Sequence, residues 1–428
     1  MNNIFNIFFK ELNCSEIPYA ITGRTEKYPD DIHSDIDIII SPNKYVAFWM
    51  FMSDIQKYKI DWIQIITHEI TAHYCIVTLS NGYEHHILKP DVCSDYYRRG
   101  TLFLKADYLL QNRIYNSKGF YQLAPNKEFV YYLLKKIDKE YISEEQFRHL
   151  KSQWNEDKVG CKNAIKPFFT VRNQTFIEQV FNHNNINLLN SNLIILKMNL
   201  HQNLSFSIKD YFFKIRNRIE RIIKPTGLVI AFMGPDGSGK SSIINAVKED
   251  LTEVFRKNKQ FHLFPKESSE TATNTNPHGL KQRGFLCSLL KLFYFLGLYT
   301  IGYWSKVYPL KIRSTLIIFD RYFHDILIDP KRYRHSGGKI WIKLIGTFIP
   351  KPDLWILLDA PAEVIQQRKT EVTFEETSFQ VNEYRKLFNN LSNAIIINAN
   401  QPLQQVIYDT EKAIIEHLKK RTLDRYRK

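Results

Sequence analysis

Apolar residues form short uninterrupted runs in the last part of the chain, at 228–233, 314–319 and 354–358. Runs of this length predict strands that are buried on both faces. The stretch from 240 to 254 has the pattern of a helix, and 261–265 has the pattern of a further short strand. Because buried strands alternate with helices here, the pattern predicts an α/β domain with a parallel sheet at 225–428.

The first part of the chain has shorter strand patterns. Strands are predicted to end at Gly23, to carry Asp35 and Asp37, and to cover 83–92 after an Asn-Gly turn. The spacing of apolar residues becomes helical between 96 and 141. This combination predicts an α+β domain at 1–155.

The middle of the chain contains no glycine between Gly160 and Gly227, and its apolar residues recur at helical spacing, which predicts a helical connector at 156–224. Its last stretch, 210–224, has the pattern of a basic amphipathic helix. Such a helix is typical of a peripheral contact with a membrane surface or of packing against a neighbouring domain. We favour packing, because the stretch is short and leads directly into a core strand.

A second ambiguous stretch, 285–304, contains twenty mostly apolar residues, enough to cross a membrane. Lys291 lies near its middle, two glycines interrupt it, and it falls between strands of one α/β unit. We therefore predict a buried helix, or a helix that lines an apolar acceptor pocket, in preference to a membrane span.

The composition is that of a globular protein, with 44% hydrophobic and 24% charged residues. The net charge of +15 attracts anions in general, which include nucleotides, anionic membranes and nucleic acids. No pattern of aromatic and basic residues for stacking or groove contact accompanies the charge, so nucleic acid is not an expected partner.

The five cysteines form no C-x-x-C pair, which is typical of a reducing compartment. The first residues have no basic start, long apolar region or small-residue cleavage site, so secretion is not expected. Both observations predict a cytoplasmic protein.

The segment 234–241 matches the phosphate-loop pattern G-x-x-x-x-G-K-[ST] and follows the first predicted core strand. Glycines allow the loop to turn its N–H groups towards phosphate oxygens, Lys240 can reach the outer phosphates, and Ser241 can ligate Mg²⁺. A glycine turn that binds nothing is the alternative, disfavoured because strand, glycines, Lys and Ser coincide. The residues predicted to bind the nucleotide are Gly234, Asp236, Gly237, Ser238, Gly239, Lys240, Ser241 and Ser242. A polar stretch at 266–278 is predicted to form a loop over this site.

The other two core strands end in polar residues, at Asp320-Arg321 and at Asp359. Ligands of open α/β sheets bind at the carboxyl ends of the strands, so these residues are expected to meet the phosphate loop. Asp320 can bind a Mg²⁺-bound water or orient an acceptor. Arg321 offers a planar fork for a phosphate or carboxylate.

In its order of motifs, the last part of the chain resembles thymidylate kinase and related nucleoside-monophosphate kinases. The resemblance implies ATP and Mg²⁺ as cofactors, the Asp320-Arg321 pair on the acceptor side, and an arginine-bearing lid at 368–385 that closes over the donor. It implies catalytic roles for Lys240, Asp320, Arg321 and Arg368, with Ser241 and Asp320 at the metal. The segment 325–333 departs from the family pattern, so the acceptor is less well specified than the ATP machinery.

The first domain carries a D-x-D pattern, Asp35 and Asp37, whose side chains project from the same side of a strand. Asp91 lies on a later predicted strand. With the preceding glycine turn, this order resembles the nucleotidyltransferase superfamily, which implies that Asp35, Asp37 and Asp91 hold Mg²⁺ around a nucleoside triphosphate. Arg24 stands where many members have Ser, and Pro90 adjoins the third Asp. A polar strand end without a metal is the alternative.

The leading hypothesis is a Mg²⁺- and ATP-dependent phosphotransferase that acts on a nucleotide or a phosphorylated sugar-like acceptor. Its product would pass to a nucleotidyltransferase in the first domain. The arrangement is similar to proteins of bacterial surface-polysaccharide clusters. The rival hypothesis is an ATP-binding sensor or scaffold with an inactive first domain. We expect a homodimer.

Overall fold

The computed structural model describes residues 2–32, 35–69, 71–82, 84–98, 101–201, 208–265, 282–370 and 372–426. The predicted loop at 266–278 lies outside these residues. The described chain forms two compact units. The first contains 1–79, 86–218 and 422–428, and the second contains 80–85 and 219–421.

The first unit is built on a mixed sheet with the strand order β3-β4-β6-β2-β1-β10-β9, in which β5 pairs with β4. A separate pair is formed by β7 and β8. The strands are β1 (Tyr19–Ile21), β2 (Ile36–Ile40), β3 (Ile60–Glu69), β4 (Ala72–Ser80), β5 (His85–Leu88), β6 (Pro90–Cys93), β7 (Tyr96–Arg98), β8 (Thr101–Leu104), β9 (Ile114–Tyr115) and β10 (Tyr121–Gln122).

Helices cover this sheet and continue into the middle of the chain. They are α1 (Asn2–Cys14), α2 (Tyr45–Asp54), α3 (Ala106–Leu109), α4 (Pro125–Lys139), α5 (Glu144–Glu156), α6 (Lys158–Ile165), α7 (Val171–Asn182), α8 (Ile186–His201) and α9 (Ile208–Ile223). The predicted connector at 156–224 consists of α6 to α9 in its described part, and its residues up to Arg218 belong to the first unit.

Three expectations for this part of the chain need correction. The strand predicted at 83–92 is two strands, β5 and β6, divided before Pro90, whose ring nitrogen carries no hydrogen for a strand ladder. The predicted helical region between 96 and 141 is helical mainly from Pro125 onwards, because the apolar residues before it belong to short strands. In α9, Phe212 and Ile223 are exposed, so the predicted packing of its apolar side is wrong for these residues.

The second unit is a five-stranded parallel sheet with the order β12-β13-β11-β14-β15. Its strands are β11 (Leu228–Met233), β12 (Lys257–His262), β13 (Thr315–Asp320), β14 (Leu354–Asp359) and β15 (Ala394–Asn398). Its helices are α10 (Lys240–Asp250), α11 (Phe285–Gly302), α12 (Tyr308–Ile312), α13 (Asp325–Ile328), α14 (Lys339–Gly346), α15 (Ala362–Arg368), α16 (Phe374–Phe388) and α17 (Leu403–Tyr426).

The α/β class and the parallel sheet of the C-terminal region are confirmed, and the three buried strands lie within one residue of their predicted bounds. Strand β12 starts four residues before the predicted segment and ends at His262. It lies at the edge of the sheet and has exposed polar positions, so it lacks the uninterrupted apolar run of a central strand.

Helix α11 corrects the prediction of a buried helix at 285–304. Leu292, Phe295 and Tyr299 are buried in the core of the second unit, whereas Leu290 and Ile301 are largely exposed. The helix is apolar on both sides, but only one side faces the core.

Candidate functional site

The phosphate loop begins where β11 ends, at the centre of the parallel sheet. Gly237 has a φ of +89°, and a Cβ there would lie 3.0 Å from the carbonyl oxygen of Ile365. A Cβ on Gly234 would lie 2.9 Å from Ser238 Oγ. Glycine is therefore required at both positions by backbone conformation and by close approach. The loop leads into α10, whose N-terminus favours anions.

Lys240, the first residue of α10, folds back over the loop. Its Nζ donates hydrogen bonds to the carbonyl oxygens of Gly234 (2.7 Å) and Pro235 (2.8 Å). Burial, followed by the nearby charge of Arg321, lowers the pKa of Lys240 to about 8. A buried ammonium whose pKa is depressed in this way gains stability when an anion binds beside it.

Asp320 ends β13, the strand that neighbours β11, and so lies at the same edge of the sheet as the loop. Its Oδ2 is 3.5 Å from His262 Nδ1 at the end of β12, while its Oδ1 is buried and has no hydrogen-bond partner among the described residues. Burial raises the pKa of Asp320, but His262 and Lys240 outweigh burial and lower it. The carboxylate is therefore ionised and has one oxygen available for a ligand.

Arg321 joins the end of β13 to the phosphate loop. One nitrogen of its guanidinium pairs with Asp236 in the loop, and Nη1 lies 2.7 Å from Asp325 Oδ2. Asp236 also pairs with Arg332. Two arginines thus converge on one loop carboxylate, and Asp236 and Asp325 together balance their charge beside the loop.

Asp325 organises the rest of this cluster and was not identified from the sequence. It is completely buried and accepts hydrogen bonds from Arg321, from Tyr333 (2.7 Å) and from Tyr384 in α16. Burial raises the pKa of its carboxyl, but Arg321 and the two tyrosine hydroxyls outweigh burial and hold it low. Nothing in the local sequence indicated Arg332 or Tyr384.

The two arginines of the predicted lid contact other groups in this structure. Arg368 ends α15, and its Nη2 donates to the carbonyl oxygen of Ala399 (3.1 Å). Arg385 forms a two-pronged pair with Asp359 at the end of β14, with distances from Nε of 2.9 and 3.0 Å. The catalytic role expected for Arg368 stays a prediction.

The residues near the loop fit a phosphate ligand and a divalent cation. The Ser238 hydroxyl and Asp320 Oδ1 are both buried, and neither has a hydrogen-bond partner among the described residues. Ser241 and Ser242, in the first turn of α10, are exposed. A serine hydroxyl and a carboxylate oxygen are ligands that Mg²⁺ prefers. Ser241 and Asp320 would hold this ion.

The carboxylates of the first unit are arranged differently from the prediction. Asp37 and Asp91 are direct neighbours in the parallel pairing of β2 with β6. However, Lys135 Nζ lies 2.9 and 3.0 Å from the two oxygens of Asp37, and Tyr74 donates to Asp35 (3.2 Å). Across the described ranges, no group of three or more His, Cys, Asp or Glu residues could hold a metal ion. Lys135 thus already neutralises Asp37, and the metal-binding role expected for Asp35, Asp37 and Asp91 stays a prediction.

A cavity of about 790 Å³ adjoins this place in the first unit. Its wall includes six basic side chains, Arg24, Lys27, Lys135, Lys136, Lys139 and Arg148, and five acidic ones, Glu26, Asp31, Asp35, Asp37 and Glu145. Burial, followed by the charges of Lys139 and Lys135, lowers the pKa of Lys136 to about 8. Arg24, Lys27 and Lys135 pair with carboxylates of the same wall, so the positive charge that could attract an anion lies mainly at Lys136 and Lys139.

The backbone N–H of the glycine turn in the first unit has a side-chain partner. Gly23 has a φ of +92°, and its N–H donates to Glu128 Oε1 (2.9 Å). The same oxygen lies 2.9 Å from His149 Nε2. Hydrogen bonds that His149 donates to Glu128 and Glu26 overcome the effect of burial and raise the pKa of His149 to about 9.

Comparisons with known proteins concern the C-terminal region. The family model for thymidylate kinase matches residues 232–409. The probable thymidylate kinase 1 of Saccharolobus solfataricus is 28% identical over 199 residues, which cover 44% of this chain and 98% of the relative. A thymidylate kinase of Staphylococcus epidermidis is 26% identical over 208 residues, with the same coverage of 44% and 98%.

Among solved structures, a deoxyadenosine kinase from M. mycoides with bound dATP is 16% identical. The match covers 44% of this chain and 98% of that one, with a TM-score of 0.32. The C-terminal region therefore carries a thymidylate kinase family domain and is similar in sequence to thymidylate kinases. These matches do not support the nucleotidyltransferase-like domain expected at 1–155.

Proposed function

We propose that the region 225–428 is an ATP- and Mg²⁺-dependent kinase that transfers a phosphoryl group to a nucleotide or to a phosphorylated sugar-like acceptor. This proposal rests on the residues that lie together where the neighbouring strands β11 and β13 end. There the phosphate loop with Lys240 lies beside Asp320 and Arg321, and the Asp236–Arg321 pair links the two strand ends. Phosphoryl transfer requires positioning and charge stabilisation, and these residues can supply both.

Each residue has a distinct role in this proposal. The loop amides and Lys240 bind the donor phosphates, and Lys240 exchanges its bonds to loop carbonyls for bonds to phosphate oxygens. Bound Mg²⁺ supplies neutralisation of phosphate charge. Asp320, ionised by its neighbours, orients the acceptor or a water at its available oxygen.

The acceptor side is defined by Arg321 and Arg332. Both guanidiniums pair with Asp236, and a phosphate on the acceptor would compete with this carboxylate for them. This arrangement favours an acceptor that already carries a phosphate group. It does not distinguish a nucleoside monophosphate from a sugar phosphate.

The test is acceptor-stimulated release of ADP from ATP, measured with thymidylate, other nucleoside monophosphates and sugar phosphates. We expect Lys240→Ala to lower kcat/KM about 10²-fold or more, because one preorganised charge is lost. Lys248→Ala, on the exposed side of the same helix, is the matched control and should retain activity. Tight ATP binding with no stimulation by any acceptor would instead favour an ATP sensor or scaffold.

We extend the proposal to a nucleotidyl transfer in the first unit, which would act on the product of the kinase, as in surface-polysaccharide synthesis. Its support is the side-by-side placement of Asp37 and Asp91 and the basic cavity beside them. A triphosphate would be attracted by Lys136 and Lys139, and a divalent cation would have to displace Lys135 from Asp37.

Release of pyrophosphate from nucleoside triphosphates tests this second activity. Asp37→Asn should abolish the release, whereas Asp61→Asn, on strand β3, should not. If the parent protein releases no pyrophosphate with any triphosphate, the first unit is not a nucleotidyltransferase. The kinase proposal is independent of that result.

The cytoplasmic location and the homodimer expected from the sequence also remain proposals. A cytoplasmic location agrees with a requirement for ATP. Light scattering on the purified chain will give its oligomeric state directly.

A further inference from the structure

Helix α11 leaves a continuous apolar face uncovered in the second unit. Leu286, Leu290, Phe293, Ile301 and Trp304 recur at spacings that place them on one side of the helix, opposite the buried side chains. Leu286 and Ile301 are 71% and 72% exposed. The stretch Phe285–Ile312 is the one helix among the described residues that is long and apolar enough to cross a membrane, yet only 28% of its most apolar window is buried.

Neighbouring elements add to this apolar face. Helix α14 packs against α11 and exposes Ile340 and Leu344, with Phe348 one turn further along the chain. The rings of Trp304 and Tyr308 are in tilted contact, with centroids 5.0 Å apart, and the Tyr308 hydroxyl donates to the carbonyl oxygen of Ile222 (2.5 Å). The exposed patch is therefore larger than one helix side. Contiguous exposed patches of this kind mark binding surfaces in soluble proteins.

The charge around the patch is mainly positive, although Lys339 at the start of α14 lies 2.7 Å from Glu383 of α16. The chain contains no Asp or Glu between 282 and 319 or between 330 and 352, although both stretches contain several Lys and Arg residues. Lys306, Lys343 and Lys351 are exposed, and no carboxylate among the described residues pairs with them. An apolar face with a basic border and exposed aromatic residues is the composition that binds the interface of an anionic bilayer.

The same charges argue against a second copy of the chain as the occupant. A twofold interface would bring the basic borders of two copies together without carboxylates from these stretches to neutralise them. A membrane span is disfavoured because α11 also buries Leu292, Phe295 and Tyr299 in the core of the second unit. Crossing a bilayer would remove these side chains from the core and so disrupt the sheet that carries the phosphate loop.

We infer that the face formed by α11 and α14 docks on the surface of an anionic lipid bilayer, with α11 lying in the plane of the interface. The apolar side chains enter the boundary between headgroups and acyl chains, and the lysines contact anionic headgroups. The kinase site at the end of β11 would then act at a membrane surface.

The experiment is co-sedimentation of the full chain with vesicles. Vesicles of equal parts phosphatidylglycerol and phosphatidylcholine should bind the protein, and vesicles of phosphatidylcholine alone should bind it at least tenfold more weakly. Binding should weaken as salt is raised, because the basic border contributes through charge. The double variant Leu290→Glu/Ile301→Glu should lose at least tenfold in binding, since charge is added to the inserted face.

Leu403→Glu is the matched control, because Leu403 is an exposed leucine at the start of α17, outside the patch. It should bind vesicles as the parent does. Lys306→Gln and Lys343→Gln should each weaken binding about fivefold, the amount expected for one lysine near an anionic surface. Unchanged unfolding midpoints will show that these variants fold normally.

Three results would overturn the inference. The first is no binding to anionic vesicles at low salt. The second is a dimer in light scattering that the Leu290→Glu/Ile301→Glu variant converts to a monomer, without vesicle binding by the parent. The third is retention of the protein in cell membranes after carbonate extraction, which would show a membrane span.

Discussion

Lys240 and Asp320 lie in the same cleft, and their surroundings move the pKa of each in the direction that a phosphate site requires. Burial lowers the pKa of Lys240 to about 8, so the protonated form is poorly stabilised until an anion binds beside it. The pKa of Asp320 is lowered by His262 and Lys240 against the effect of burial, so it stays ionised. Both shifts arise from contacts between strands that are far apart in the sequence.

Asp320→Asn tests the assignment of this carboxylate. We expect kcat to fall about 10²–10³-fold, because a charge that acts during the transfer is removed. The affinity for ATP, measured by calorimetry, should change little, since Lys240 and the loop amides remain. An equal loss of kcat and affinity would show that Asp320 acts on the donor or on folding.

His149 in the first unit gives a pH-dependent prediction. Its pKa is raised from 6.5 to about 9 by Glu128 and Glu26, so the protonated form stabilises the folded state. This stabilisation, on the order of 3 kcal/mol, is fully present below pH 6.5 and is lost as the pH rises through about 9.

The measurement is the free energy of unfolding of the first unit between pH 6 and about 9.5. His149→Gln should remove most of its decline over this range. A decline of the same size in the variant would contradict the assignment of the pH dependence to His149.

At the scale of elements, Asp325 connects the end of β13 to α16. It receives hydrogen bonds from Arg321 before α13, from Tyr333 after α13 and from Tyr384 within α16. The arginine is almost completely buried, so it depends on this carboxylate for neutralisation. Helix α16, which carries the lid arginine Arg385, is thus held to the acceptor side of the site through one carboxylate.

We predict that Asp325→Ala lowers the free energy of unfolding by about 3–5 kcal/mol, because it leaves Arg321 buried beside fewer negative charges. Tyr384→Phe removes one hydrogen bond to the same carboxylate and should cost about 1 kcal/mol. Chemical denaturation of both variants gives the comparison. Equal effects would mean that Arg321 does not rely on Asp325.

At the scale of the whole molecule, the chain divides into two compact units with separate cores. The phosphate loop and its partner residues all belong to the second unit, whereas the basic cavity belongs to the first. A ligand that binds only one unit stabilises that unit by mass action.

We therefore predict two calorimetric unfolding transitions, of which Mg²⁺-ATP raises one. At a ligand concentration of 100 times Kd, the gain is about 2.7 kcal/mol. Lys240→Ala should abolish the increase without moving the other transition. A single transition that shifts as a whole would show that the two units unfold together.

Local patterns predicted much of the second unit. Its phosphate loop depends on four specified residues within eight consecutive positions, 234–241, and its three central strands consist mostly of apolar residues. These features can be predicted from the sequence because each depends on residues that are close together along the chain. The edge strand β12 was misplaced, because an exposed edge permits polar residues that obscure the apolar signal.

The residue order alone was sufficient to predict the parallel sheet and its phosphate loop, together with the common edge on which Lys240, Asp320 and Arg321 lie. The sequence did not show which charged side chains pair with one another, and only the folded structure did. Arg332 reaches Asp236 from 96 residues away, and Lys135 reaches Asp37 from 98 residues away. The exposure of one side of α11 was also undetermined by its composition, since both sides are apolar. Contacts between distant segments govern charge pairing and burial, and periodicity within a segment carries no information about them.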